Sequence, residues 1–540
     1  MDLLRANSLP DLSYQALFYK LKIKKQVISD HEIYSAWEDA NKGGMNIVGQ
    51  RYTEVRNSMT ERIEYYDIKS SYAHSMTQSL PFGNHHFIDI KTPKELEELV
   101  HKLDLNCEGI LANVDCYTPI HLHDFFKGIP PICEKTVFSP NMYPLEFSKY
   151  RQQQKVPKLI NHLGNVNGYY CIAEELLLML QLGIKITKVN FVIKHKSKPF
   201  AKEYVELISR LRAEELQRLK KCKDEGRKED KTMSLLLKFL LNCVYGKFFL
   251  NKANYDSIYI VFDKESHDKK LRSFRFKSCS LNKYSIITKM AQKKIIKNGS
   301  PECATTITAL GRVNLLNVYY NVLVKHFTKP TILTPHPQVT LLYVDTDCLC
   351  LYINIHEQDY ITLMKTTLAE HFDFSNLPED NPLHNTDRMG KIGILKSETD
   401  GRPIKQFIAL CGKCYTIVYF DGTDITCKCK GVPNQISKTF TLDDYLNGLL
   451  YPTIQISGLN YSQRAKYRYI GVRSNLPHLR ETFTFEIQKL VLNSLDSKRF
   501  IIYNGLDSLP LGHYKTLPGE RKRHPGLLNH VQTFTYATME

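Results

Sequence analysis

Thr340–Ile355 reads TLLYVDTDCLCLYINI. The apolar and β-branched run predicts a strand, yet it carries Asp345 and Asp347 one residue apart. In a strand, residues i and i+2 face the same side, so the two carboxylates would project together with Cα atoms roughly 7 Å apart. Buried like charges repel and lose hydration. A cation between them, or an exposed tip, relieves that conflict. A calcium loop of the EF-hand type does not fit, because Leu349 and Cys350 stand where a further oxygen ligand and Gly are needed. A tight structural turn remains open, since Asp favours turns. The sharper reading is a divalent-metal site, and magnesium takes one or two carboxylates plus substrate phosphates.

A third carboxylate stands in a similar setting. In IEYYDIKSSY, Asp67 ends an aromatic and apolar run that reads as a second buried strand. The Ser-Ser-Tyr turn after it would offer backbone N–H groups suited to phosphate oxygens. Taken alone, Asp67 would be a helix N-cap. In LLLKFLLNCVYGKFF, Lys238, Asn242 and Tyr245 fall on one stripe of a helix otherwise covered by Leu and Phe. A lysine there either snorkels or holds an anion. Gly246 would let a flat group approach the helix backbone.

The bulk properties agree with a polyanionic partner. The chain has 540 residues, a net charge of +17 and a pI near 9.1, which fits nucleic acid. Its 14 cysteines are scattered rather than packed into a small framework, as in reduced intracellular proteins. MDLLRANSLPDLSYQ lacks a signal-peptide core, EELLLMLQLGI is too short to cross a bilayer, and Lys238 breaks LLLKFLLNCVYG. The expectation is a soluble intracellular protein with no membrane partner.

Along the chain, NKGG at Asn41–Gly44 marks a turn, residues 84–165 alternate short strands with Pro-containing loops, and residues from about 170 to 250 read as helical. KKCKDEGRKEDK reads as a charged turn between two helices. Residues 251–325 return to strands and then an amphipathic helix, and a hairpin is expected at Asp421–Gly422. The last hundred residues carry basic stretches, SQRAKYRYIGVR and GERKRHPG.

Together these residues resemble the motifs of family-B DNA polymerases. DIKSSYAHSM resembles the first palm motif, Asp followed by Ser-Leu-Tyr-Pro. KFLLNCVYG resembles the fingers motif Lys-x3-Asn-Ser-x-Tyr-Gly, and YVDTDC resembles the palm motif Tyr-x-Asp-Thr-Asp-Ser. KCY, Lys413–Tyr415, resembles the Lys-x-Tyr primer-end motif, and KCKGV resembles the basic segment after it. KRFIIYNGLDSLPLGHY is similar to the C-terminal region of relatives in viruses and large DNA transposons. The ordered set is specific and covers most of the chain from about Gly43. The long segments between motifs resemble the terminal-protein regions of the protein-primed subgroup of adenoviruses, bacteriophages, linear plasmids and self-replicating transposons. Ala73 replaces the motif's Pro, Cys243 and Cys348 each replace Ser, and Asn41 stands where Tyr-x-Gly-Gly would have Tyr.

The resemblance implies an α+β, right-hand architecture of palm, fingers and thumb with two insertions. The expected divisions are an N-terminal remnant and linker, 1–66; first palm motif, 67–83; first insertion, 84–165; fingers, 166–250; second insertion and palm, 251–340; palm, 341–433; and thumb, 434–540. It implies that Asp67, Asp345 and Asp347 gather two magnesium ions roughly 3.5–4 Å apart, and that Lys238, helped by Arg212, contacts the triphosphate. Tyr72 would select deoxynucleotides, Asn242, Tyr245 and Gly246 would line the base-pair pocket, and Lys413, Tyr415, Lys428 and Lys430 would hold the primer-template. Expected partners are primer-template DNA, deoxynucleoside triphosphates, a terminal priming protein and a separate exonuclease. The exonuclease is expected elsewhere because only 66 residues precede Asp67; Asp30-x-Glu32 in SDHEIY mimics an exonuclease motif and reads as surface charge.

Cys411-x2-Cys414 and Cys427-x-Cys429 have zinc-ribbon spacing, but they interleave with the primer-end lysines, which zinc would draw away from a primer. Two other classes stay open: a metal-dependent nucleotide-sugar glycosyltransferase, which needs no Lys238 stripe, and an inactive DNA-binding polymerase relic, against which the three carboxylates argue.

Overall fold

The computed structural model describes residues 8–20, 22–136, 157–250, 255–281, 284–293, 299–329, 336–422, 425–450, 464–470, 484–490, 492, 496, 498–502 and 506–516. GERKRHPG lies outside them, as do the ends of SQRAKYRYIGVR.

The centre is a mixed ten-stranded sheet. Its main path runs through Asn46–Val48, Val339–Asp345, Cys348–Asn354, Glu61–Ile68, Ile404–Cys411, Cys414–Tyr419 and Ile425–Cys429, with antiparallel neighbours throughout. The two strands of the opening stretch are apolar at nearly every position because both faces of the sheet are covered. Leu341, Val344, Leu349 and Leu351 enter one core with Tyr66 and Ile68. Leu342, Tyr343, Cys348 and Cys350 enter another with Ile63 and Tyr65.

A second, four-stranded antiparallel sheet runs Leu80–Ile88, Lys185–Lys198, Glu108–Tyr117, Val166–Ile172. The region read as helical from about 170 is therefore two strands flanking the helix Ala173–Gln181; the long helices begin only at Lys202. The run VNFVIKHKSK carries a β-branched and aromatic pattern that its lysines obscure. The paired helices are Lys202–Asp224 and Thr232–Asn242, and half of KKCKDEGRKEDK extends the first of them. A small sheet of Ser257–Val261, Phe276–Leu281 and Ile286–Met290 stands separately.

Pro301–Asn317, expected to be amphipathic, is buried on nearly every side, from Pro301 through Arg312 without a break. It packs on His31–Ala40, Ser71–Met76, Ala173–Gln181 and Val244–Phe248. Asp30 is the N-cap of His31–Ala40, accepting from the N–H groups of Glu32 (2.8 Å) and Ile33 (3.1 Å). Its sequence signal was thus a cap rather than free surface charge. Among the described residues no helix is long and apolar enough to cross a membrane.

Candidate active site

One row crosses the central sheet. Asn46 lies opposite Asp345, Asp345 opposite Cys348, Cys348 opposite Asp67, and Asp67 opposite Lys396. Asp345 ends its strand, and Thr346–Asp347 form a two-residue turn. The expected same-face strand pair is corrected here: Asp347 is in the turn, and the carboxylate that shares the sheet row with Asp345 is Asp67. The turn is held from both sides. Thr346 N–H donates to Met45 O at 2.6 Å, and Ile68 N–H donates to Asp347 O at 2.7 Å. Thr346 has φ +68°, costly for a β-branched residue. A Cβ at Gly44 would come within 2.5 Å of the Thr346 side chain, so only glycine lets the Asn41–Gly44 loop pass this close.

The carboxylates are partly buried and repel. Burial, then the charges of Asp347 and Glu398, push the Asp67 carboxyl above the usual range, while Lys238 pulls it back. Burial, Asp345 and Glu398 push Asp347 up, opposed by a backbone N–H and Lys413. Lys413 Nζ lies 2.8 Å from Asp345 Oδ1. Among the described residues no three His, Cys, Asp or Glu side chains already converge as a metal cage. The donor set nonetheless suits a hard divalent cation, because Asp67, Asp345 and Asp347 bring carboxylate oxygens together in a partly buried site where Asp67 and Asp347 are pushed up by burial and by neighbouring negative charge.

Beside this row is a cavity of about 610 Å³ lined by Asn41, Gly43, Gly44, Tyr72, Tyr245 and Gly246, among others. The rings of Tyr72 and Tyr245 lie 4.3 Å apart at 41°. A Cβ at Gly246 would meet nothing within 4 Å, so its backbone is open to the cavity. The expected single helix is interrupted: Thr232–Asn242 ends, Cys243 intervenes and Val244–Phe248 follows. Asn242 and Tyr245 are thus on separate helices. Lys238 is exposed rather than buried in an apolar helix, yet its charge still bears on Asp67. Arg212, half-buried, is close enough to Lys69 for its charge to be felt there.

Lys428 and Lys430 stand exposed at the end of the last palm strand. Tyr415 does not share their exposure. It is 9% exposed, its hydroxyl pairs with that of Tyr65 at 3.1 Å, and its ring packs on Tyr343 and Phe407. It supports the Lys413 turn from within the palm, and the expected direct backbone contact is corrected accordingly.

A family model described as DNA polymerase type B, organellar and viral, matches residues 5–313. The chain belongs to that family. Among solved structures, phi29 DNA polymerase complexed with primer-template DNA and incoming nucleotide substrates aligns at 12% identity with a TM-score of 0.51, covering 90% of this chain and 68% of that one. The orthorhombic crystal form of phi29 DNA polymerase aligns at 14% identity, TM-score 0.49, covering 82% and 63%. The chain thus spans about two thirds of the length of these phi29 chains. No curated protein matches it at significant similarity.

The right-hand α+β fold of a type B polymerase therefore holds for this chain, and it brings in residues that motif reading missed. Glu398 acts on both Asp67 and Asp347; its sequence, SETDG, looks like a plain loop. Lys69 and Lys396 flank the buried Asp373 at 3.4 and 3.7 Å. Beneath the cavity lies a buried charged trio. Lys42 Nζ donates to Tyr170 O at 2.6 Å and lies 3.9 Å from Glu175. Arg312 donates to Glu175 Oε2 at 3.4 Å and to Gly43 O at 3.3 Å. Tyr169 OH donates to Glu175 at 2.7 Å. A charged residue inside an apolar helix, such as Arg312 in TALGRVNLL, was the available signal.

Proposed function

We propose that this type B polymerase is a DNA-directed DNA polymerase that adds deoxynucleotides to a primer 3′-hydroxyl in viral, plasmid or transposon replication. The observation that carries the reading is the sheet row that sets Asp67 and Asp345 on either side of Cys348, with Asp347 in the adjoining turn and the Tyr72–Tyr245 cavity next to it.

Asp67, Asp345 and Asp347 are the residues that would hold magnesium, two ions in all; when bound, the ions supply charge neutralisation at the phosphates and a more acidic attacking hydroxyl. The chain's own side chains do the positioning. Lys238, with Arg212, draws the triphosphate in as point charges do. The Tyr72 ring, buried against Tyr245 and packed over Gly311, leaves no room for a sugar 2′-hydroxyl. Asn242, Tyr245 and Gly246 border the nascent base pair. Lys413, Lys428 and Lys430 hold primer-template phosphates, and Lys413 exchanges its contact with Asp345 for one with the primer end.

The segment 84–165 and the second insertion embrace a priming protein and the downstream duplex, so that a protein hydroxyl serves as the first nucleophile. Family membership leaves the sugar-nucleotide reading without support, and retention of every carboxylate speaks against a relic. Primer extension with magnesium and four deoxynucleotides, beside Asp347→Asn, tests the proposal: template-dependent elongation by the wild type alone is expected, and no elongation by either protein would overturn it.

A further inference from the structure

The four cysteines of the primer-end hairpin sit on three neighbouring strands, Ile404–Cys411, Cys414–Tyr419 and Ile425–Cys429. Cys427 Sγ lies 3.5 Å from both Thr416 Oγ1 and Phe440 O. The other three form a sulfur cluster. Cys411 and Cys414 face each other across the Gly412–Lys413 turn, and Cys414 lies directly opposite Cys429 on the next strand. Both neighbouring thiols are close enough to push the Cys414 thiol up.

The ladder distinguishes these two pairs. Lys430 N–H donates to Lys413 O at 2.9 Å, so Lys413 and Lys430 are a hydrogen-bonded pair. Cys414 and Cys429, one step along, are then a non-hydrogen-bonded pair, whose Cα atoms approach to about 4.5 Å. That falls within the range a disulfide spans. Cys414 is 3% exposed, whereas Cys429 is half-buried, so an oxidant reaches Cys429 first.

We infer that Cys429 and Cys414 are an oxidation site that closes to a cross-strand disulfide and thereby weakens the grip of Lys413, Lys428 and Lys430 on a polyanion. A peroxide is the oxidant. The Cys429 thiolate attacks one peroxide oxygen, breaking the O–O bond; the released hydroxide takes up a proton, and the sulfur becomes sulfenic acid. The Cys414 sulfur then attacks it, forming the S–S bond and releasing a second water. Two thiols lose two electrons and two protons, and one peroxide becomes two waters. Joining the strands at Cys414 draws the hairpin together between Lys413 and Lys428, the two ends of the cationic edge, and displaces the Lys413 turn from Asp345.

The cross-link is tested without reference to polymerase activity. The full chain is treated with hydrogen peroxide, digested without reductant and mapped by mass spectrometry. A peptide pair joined through Cys414 and Cys429, absent from Cys429→Ser and reversed by dithiothreitol, is expected. A Cys411–Cys414 link instead, or oxidation confined to the exposed Cys107, would overturn the assignment. The functional half rests on the reading of the lysines as primer-template contacts. Peroxide should lower wild-type affinity for primer-template about tenfold at fixed salt and leave that of Cys429→Ser unchanged. A formed disulfide with unchanged wild-type affinity would overturn the effect on the grip; absence of DNA binding before oxidation would instead count against the proposed function.

Discussion

Lys413 Nζ sits 2.8 Å from Asp345 Oδ1, joining the turn of one palm hairpin to the end of another. Both residues flank strained backbone: Lys413 has φ +64°, and Thr346, next to Asp345, has φ +68°. Residues in such conformations persist where surrounding structure over-determines them, and they cluster at functional sites. The ion pair gives Asp345 a counter-charge.

Replacing Asp67 or Asp347 with Asn should lower primer extension by about a thousandfold, on the order of 4 kcal/mol in the barrier, while primer-template binding survives. Single-turnover extension and a gel-shift titration check the two halves separately. Extension near the wild-type rate would remove these carboxylates from the chemistry.

Tyr72→Val should admit ribonucleotides far more readily if the proposed barrier to a 2′-hydroxyl is the Tyr72 ring, which packs on Tyr245 beside Gly311. The ratio of kcat/KM for deoxy- and ribonucleotides is the measurement. An unchanged ratio would make Tyr72 a packing residue.

Stability of the metal-free chain should fall as pH rises through the range above ordinary carboxylate values. Asp67 and Asp347 have raised pKa values in the folded state, so between the unfolded and folded values the native state binds more protons, and deprotonation costs it stability. Tm measured across this range should decline, magnesium should reduce the decline, and Asp347→Asn should flatten it. An equal slope in the variant would show that other groups dominate.

Lys428→Ala and Lys430→Ala should each weaken primer-template binding at all sequences alike and reduce the slope of log K against log salt by about one. A fluorescence titration at several salt concentrations reads this directly, and an unchanged slope would place the lysine off the DNA path.

Glu175→Gln should destabilise the fold by about 3–5 kcal/mol, the usual cost of stranding buried charge, here on Lys42 and Arg312. Denaturant unfolding checks it; a loss below about 1 kcal/mol would mean that water reaches the trio.

Much of this was legible in the residues because strand pattern and metal chemistry are local. The apolar run around Tyr343 and the run before Asp67 announced two central strands, and they do pair with the strand between them. What sequence could not show was where the strand stopped. Asp347 lies beyond the last paired residue, and a turn with Thr in a left-handed conformation contradicts its own propensity; Met45, Gly44 and Ile68, distant in sequence, hold it there. Lys238 misled for a related reason, since its apolar neighbours Met233, Leu235 and Phe239 are themselves more than half exposed. Tyr415 and Glu398 were misjudged or missed because burial and electrostatic reach depend on partners remote in the chain.

The trio of Lys42, Glu175 and Arg312 ties three parts of the chain at one dry point: the loop ahead of the palm, the helix beside the second sheet and the long buried helix. Pulling them apart would strand like and unlike charges without water, at several kcal/mol. The second sheet and the palm are therefore welded rather than hinged, and no domain closure can run along that seam. Arg212 and Lys238 stand instead on the paired helices Lys202–Asp224 and Thr232–Asn242, outside that dry point.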